Sequence, residues 1–183
     1  MLQDFEICPV RHTSLIHDLY INLRAIDTLE VNIANQNFTN YGKNDFVRDI
    51  CSDDYENHIV IENDAPIAVY GISKKPINGM YCIYFLGNKI LDTNLKLQKE
   101  FLKRSNAIIK EWLSTHECLF NFIHKKNNRS KRWLTSLGAV IHSDITHNGM
   151  ELFTLRKGDA NVQSYCIDGR SIGYSIMGSA STN

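Results

Sequence analysis

Residues 84–101 read YFLGNKILDTNLKLQKEF, an apolar strand that breaks off and starts a helix. Such a junction can bind phosphate, because the first amides of a helix have no partner within it and face an anion. Closing backbone on that ligand usually takes several glycines. Here there is one, Gly87, on the strand side, and Lys89 is the single cation before the helix. Ile90 and Leu91 put bulk, and Asp92 a negative charge, where amides would have to meet phosphate.

The other reactive residues do not cluster. His12, His17, His58, His116, His124, His142 and His147 form no H-x-x-x-H pair and none sits beside a cysteine at ligand spacing. No metal site is predicted. Cys8, Cys51, Cys82, Cys118 and Cys166 are odd in number and widely spaced, with no C-x-x-C. They read as small apolar residues in a reducing compartment, not as a zinc site or disulfide framework. Asp27 and Glu30, in LRAIDTLEV, have the chemistry of a general base but read as a helix cap or surface charges, with Arg24 pairing to Asp27 on the helix surface. The run HKKNNRSKR, 124–132, has five Lys or Arg but no alternating aromatics. It reads as a solvated loop and helix face, and nucleic acid is not a predicted partner.

The elements that must hold these residues follow from periodicity. FEICPV, 5–10, predicts a first strand. Leu15, Ile16, Leu19, Tyr20, Leu23 and Ile26 predict one helix capped by Thr13 or Ser14. From 28 to 57 the pattern is weak, with a short helix around Phe46, Val47 and Ile50. Segments 58–62 and 66–73 form a hairpin about Asn63-Asp64, PING makes another turn, and 80–87 is a buried central strand. A helix over 93–114, capped by Thr93 or Asn94, and a strand over 118–124 make a parallel crossover. A short helix over 130–137 ends at Gly138, and a hairpin over 140–157 turns at Asn148-Gly149.

With 183 residues, 43% apolar, 22% charged and a formal net charge of zero, the chain predicts one globular domain without the charge bias of a generic nucleic-acid or membrane binder. No apolar run is long enough for a transmembrane helix, and MLQDFEICPV does not read as a signal peptide. Residues 159–183 are rich in Gly, Ser and Asn and read as an extended tail. Its spaced apolar residues, Tyr165, Ile167, Ile172, Tyr174, Ile176 and Met177, suit docking on a partner.

This order of elements resembles the GNAT acetyltransferase fold: an α/β (α+β) domain, here 1–158, with a mixed central sheet flanked by helices. The segment from Asn127 to Ala139 is similar to that family's N-x-x-A-x-x-x-Y-x-x-x-G-F motif, with Asn127 and Gly138 matching, Ser130 in place of Ala and Ala139 in place of Phe. LRAIDTLEV, NNRSKRWLTSLGAVIHSDITHNG and ELFTLRKG together resemble the internal virion protein A family of T7-like podoviruses.

The first resemblance implies a gap between the fourth and fifth strands for the pantetheine arm of acetyl-CoA, a glycine-rich loop for its pyrophosphate and a Tyr as acid. The loop here, NKILDTN, has no glycine, and Leu134 stands at the Tyr position beside Trp133. The expectation is a cradle closed by side chains, no catalytic residues and no cofactor; if acetyl-CoA binds, Phe85, Gly87, Lys89 and Asn127 would hold it. The second resemblance implies a virion protein, in the host cytoplasm during assembly, docked on portal, internal core or tail components within a homo- or hetero-oligomeric assembly. An active N-acetyltransferase acting on a host or phage amine is the alternative.

Overall fold

The computed structural model of the chain describes residues 2–158. The six apolar anchors expected in the tail, and Cys166, lie outside the described residues. The elements are β1 (Gln3–Glu6), α1 (Pro9–Ile21), α2 (Ala25–Ala34), α3 (Lys43–Ile50), β2 (Tyr55–Glu62), β3 (Ala65–Ser73), β4 (Tyr81–Gly87), α4 (Ile90–Thr93), α5 (Leu95–Thr115), β5 (Cys118–His124), α6 (Asn128–Ser136), β6 (Val140–His147) and β7 (Met150–Arg156).

One seven-stranded sheet runs β1-β2-β3-β4-β5-β7-β6. Neighbours are antiparallel except β4 and β5, which are parallel and joined by α5. Three turns share one chemistry: Asn63-Asp64, Asn78-Gly79 and Asn148-Gly149 each place two successive residues at positive φ. That is the turn whose twist matches paired strands, and Asn, Asp and Gly tolerate it best.

The helices differ from expectation near the N-terminus. The predicted single helix over 14–26 is two. Pro9 starts α1 with its fixed φ, upstream of Thr13, whose hydroxyl donates back to the Pro9 carbonyl. The chain then leaves helical geometry, and Leu23 forms an isolated bridge with Asn88. A second helix, α2, starts after Arg24, takes in Ile26 of the predicted stripe and runs on into the stretch from 28 where the sequence pattern is weak. Downstream the caps agree with the sequence: Asn94 accepts from the Leu97 amide at the start of α5, and Gly138, at φ 93°, ends the α6 segment. There Ala139 donates to the Leu134 carbonyl and Gly138 to that of Thr135, the paired bonds of a Schellman ending.

Alternation along β4 divides the core. Cys82, Tyr84 and Leu86 pack with Ile16, Leu19, Phe46 and Ile50 of α1 and α3. On the other face Ile83 packs with Ile109 and Leu134, and Phe85 meets Phe101, Trp112 and Trp133. Among the described residues Cys8, Cys51, Cys82 and Cys118 are free thiols, the last two buried, and no His/Cys/Asp/Glu group is arranged to hold a metal. Among those residues no helix is long and apolar enough to cross a membrane.

Candidate functional site

β4 and β5 pair only at their starts, Tyr81 with Leu119 and Cys82 with Phe120. One residue further, the Asn121 side chain replaces a ladder bond by donating to the Ile83 carbonyl at 2.7 Å. Beyond it the strands diverge, and the backbone groups facing the gap need other partners. Helix α2 supplies them. Asp27 and Glu30, three residues apart on one helix face, each reach the end of one strand. Asp27 Oδ2 accepts from the Gly87 amide of β4 at 2.7 Å, and Glu30 Oε1 accepts from the His124 amide of β5 at 2.9 Å.

Both carboxylates are buried, Asp27 at 1% exposure and Glu30 at 8%. They are not the cap or surface charges the sequence suggested. Arg24 does pair with Asp27, but inside the protein, through a fork of 2.8 and 2.7 Å. Burial pushes the Asp27 carboxyl up, against the pull of Arg24 and the Gly87 amide. Glu30 is pushed up to about 7, first by burial and then by the Asp27 charge, although the Asn127 and His124 donors pull it down. Asn127 donates to Glu30 Oε1 at 2.9 Å while its own oxygen caps α6 by accepting from the Ser130 amide. Glu30 Oε2 has no hydrogen-bond partner among the described residues.

A cavity of about 140 Å³ lies in the splay, with Glu30, Gly87, Asn121, Phe85, Asn127 and Trp133 in its lining. Three of the four residues expected around a cofactor, Phe85, Gly87 and Asn127, therefore share one cavity. Lys89 does not line it; its side chain is exposed and its amide donates to the Asn22 carbonyl. Arg24, Asp27 and Glu30 were not expected there. The signal was present: R-x-x-D-x-x-E places three charges on one helical stripe, directed inward by the fold.

The junction after β4 is not an open loop. From Gly87 to Asp92 every backbone N–H is donated within the chain: Gly87 to Asp27, Asn88 to the Ile67 carbonyl, Lys89 to that of Asn22, Ile90 to the Asn88 side chain, Leu91 to the Asn88 carbonyl and Asp92 to that of Lys89. Ile90–Thr93 forms a helical turn, and Leu91 is buried. A Cβ placed on Gly87 would lie 2.8 Å from Leu91 Cδ1 and 3.3 Å from Arg24 Nε, so the space beside this glycine is filled by the protein itself. Asp92 also pairs with Arg129 of α6 at 2.9 Å, joining the two sides of the splay. These residues do not fit the pyrophosphate of coenzyme A as they stand. The position of a family acid is likewise taken up by packing: Leu134 is buried, and the Trp133 indole donates to Asn106 at 2.7 Å.

Strand order, the parallel splayed pair and the α5 crossover define the GNAT acetyltransferase fold, and solved structures agree. The ribosomal-protein-S18-alanine N-acetyltransferase of Escherichia coli superposes with a TM-score of 0.57 at 12% identity, over 90% of this chain and 99% of that one. A ribosomal L7/L12 α-N-protein acetyltransferase, RimL, in complex with coenzyme A gives 0.60 at 10% identity, over 85% and 93%. A putative phosphinothricin N-acetyltransferase gives 0.59 at 12%, over 87% and 100%. At these identities the likeness is one of fold.

By sequence the chain is similar to the probable scaffold protein gp13 of Escherichia phage T7, 27% identical over 81 residues. That match spans 44% of this chain and 59% of the phage protein. No family model matches the chain.

Proposed function

We propose that this chain is a non-catalytic phage virion or virion-assembly protein that uses an acetyltransferase-like domain as rigid scaffold. The observation that carries the non-catalytic half is the internal use of every amide from Gly87 to Asp92. An anion site needs free amides, and catalysis by a cofactor needs the cofactor held. The virion half is supported by the similarity to the phage T7 scaffold protein. On this reading the tail, 159–183, docks on another virion protein (portal, internal core or tail component) through Tyr165, Ile167, Ile172, Tyr174, Ile176 and Met177. The protein acts in the host cytoplasm during assembly and then in the particle, as part of an oligomeric assembly.

A second reading has one observation in its favour. Glu30, with a carboxyl titrating near neutrality beside the splay, has the proton affinity of a general base for an amine acceptor. An acetyl-CoA-dependent N-acetyltransferase would then be the activity. Thiol release from acetyl-CoA, with host and phage lysates as acceptors, separates the two. The scaffold reading predicts release no faster than spontaneous hydrolysis. Protein-dependent release that Glu30→Gln abolishes would establish the enzyme.

A further inference from the structure

Along α5 the charges are sorted. Lys96, Lys99, Lys103 and Lys110 follow one another at intervals of three, four and seven residues, which puts them on one face of the helix, and all four are exposed. None has an ion pair or a side-chain hydrogen bond among the described residues. The acids of α5 lie off this stripe. Glu100 is paired with Arg104 and accepts from the Leu2 amide, and Glu111 follows Lys110 by one residue, about 100° further round the helix. On α6, by contrast, Arg129 and Lys131 are committed to Asp92 and Glu151. The net charge of zero hides this sorting, because Asp45, Asp49, Asp53, Asp54 and Glu56 gather the opposite charge in α3, the loop after it and the start of β2.

We propose that the lysine face of α5 binds the phosphate backbone of a nucleic-acid duplex without reading its sequence. Like charges three and four residues apart repel one another and weaken the helix, and a polyanion laid along them removes that cost. From Lys96 to Lys110 the stripe runs roughly 21 Å, the length of about six base pairs. Lys99, Lys103 and Lys110 border an open groove with Leu102, Asn106 and Ala107. An acidic protein suits this face less well. Protein interfaces are centred on apolar and aromatic side chains and are poor in lysine, and none of the exposed large apolar residues lies between 96 and 110. A single strand suits it less well too, because unpaired bases stack on aromatic rings. Trp133, which reaches α5, spends its indole N–H on Asn106 and packs edge-on against Phe85. None of the four lysines lines the splay cavity, so the face is separate from that site and needs neither acetyl-CoA nor the scaffold role.

The test follows the fluorescence anisotropy of a labelled DNA duplex of about twenty base pairs as full-length protein is added, in KCl from about 50 to about 200 mM. Glutamine has nearly the helix propensity of lysine, so Lys99→Gln, Lys103→Gln and Lys110→Gln together remove charge and keep α5. Circular dichroism checks the fold. A control variant, Lys43→Gln, Lys74→Gln and Lys75→Gln, removes the same charge at exposed positions outside α5.

Four phosphate contacts give a slope of log affinity against log salt of about −3.6, a loss on the order of 100-fold across that range. The expected result is that slope for the wild type and the control variant, alike on two duplexes of unrelated sequence. The α5 variant should bind at least about tenfold more weakly at the lowest salt, with a slope of about −1. No duplex binding by the wild type at about 50 mM KCl, undiminished binding by the folded α5 variant, or an equal loss in both variants would overturn the proposal. So would tighter binding of a single strand, or equal binding, charge for charge, of poly-L-glutamate, which would assign the face to an acidic protein.

Discussion

At the scale of single residues, Glu30 makes stability depend on pH. Its carboxyl is raised from 4.5 to about 7 in the folded chain, so between those values the folded state holds a proton that the unfolded state has lost. Stability is then fullest below pH 4.5 and declines as pH rises through 7, by roughly 3 kcal/mol at the upper limit. His58, raised by its bond to Asp4, adds a loss in the same direction. The comparison that isolates Glu30 is therefore wild type against Glu30→Gln. Urea unfolding across pH 5–8 should show a smaller decline in the variant and greater stability than wild type at pH 8; parallel curves would contradict the assignment. The sequence offered Asp27 and Glu30 as charges at the right spacing. It could not say that they point inward, because burial of a charged stripe is decided by strands some sixty to ninety residues away that lack partners of their own.

At the scale of elements, three substitutions test how the cleft and the sheet beside it are built. Asn127 both caps α6 and donates to Glu30, so Asn127→Ala should cost about 1–3 kcal/mol in denaturant unfolding. A change below about 0.5 kcal/mol, the size of an ordinary surface substitution, would mean that water replaces both bonds. Gly71 is tighter still: a Cβ there would lie 2.4 Å from Asn57 Oδ1 and 2.7 Å from Tyr84 Cε1, where Tyr84 donates to Asn57. Gly71→Ala should destabilise by about 1–3 kcal/mol through overpacking, whereas Arg129→Ala, which breaks an exposed pair, should cost under about 1 kcal/mol.

Hairpins, the crossover, the Asn94 cap of α5 and the Gly138 ending of α6 were legible because each is written in local chemistry: Asn-Gly, a 3.6-residue stripe, Asn before a helix and Gly after one. α2 was not, because two of its inward positions carry acids and break the apolar period. The NKILDTN segment lacked glycine in the sequence, but its helical turn, which spends the amides on local carbonyls, was visible only in the structure.

At the scale of the whole molecule, a GNAT fold separates what the chain resembles from what it can bind. Its splay is bridged by Asn121, capped by Asp27 and Glu30, and joined across by the Asp92–Arg129 pair. A chain ending at residue 158 should fail to enter phage particles; normal incorporation would end the tail-docking reading. The most direct measurement is thermal unfolding with and without saturating acetyl-CoA. A ligand at one hundred times its dissociation constant adds about 2.7 kcal/mol and raises the midpoint by several degrees. The closed cradle predicts an unchanged midpoint. A rise of several degrees would show that the Gly87–Asp92 amides yield to the cofactor, and would contradict the scaffold account at its centre.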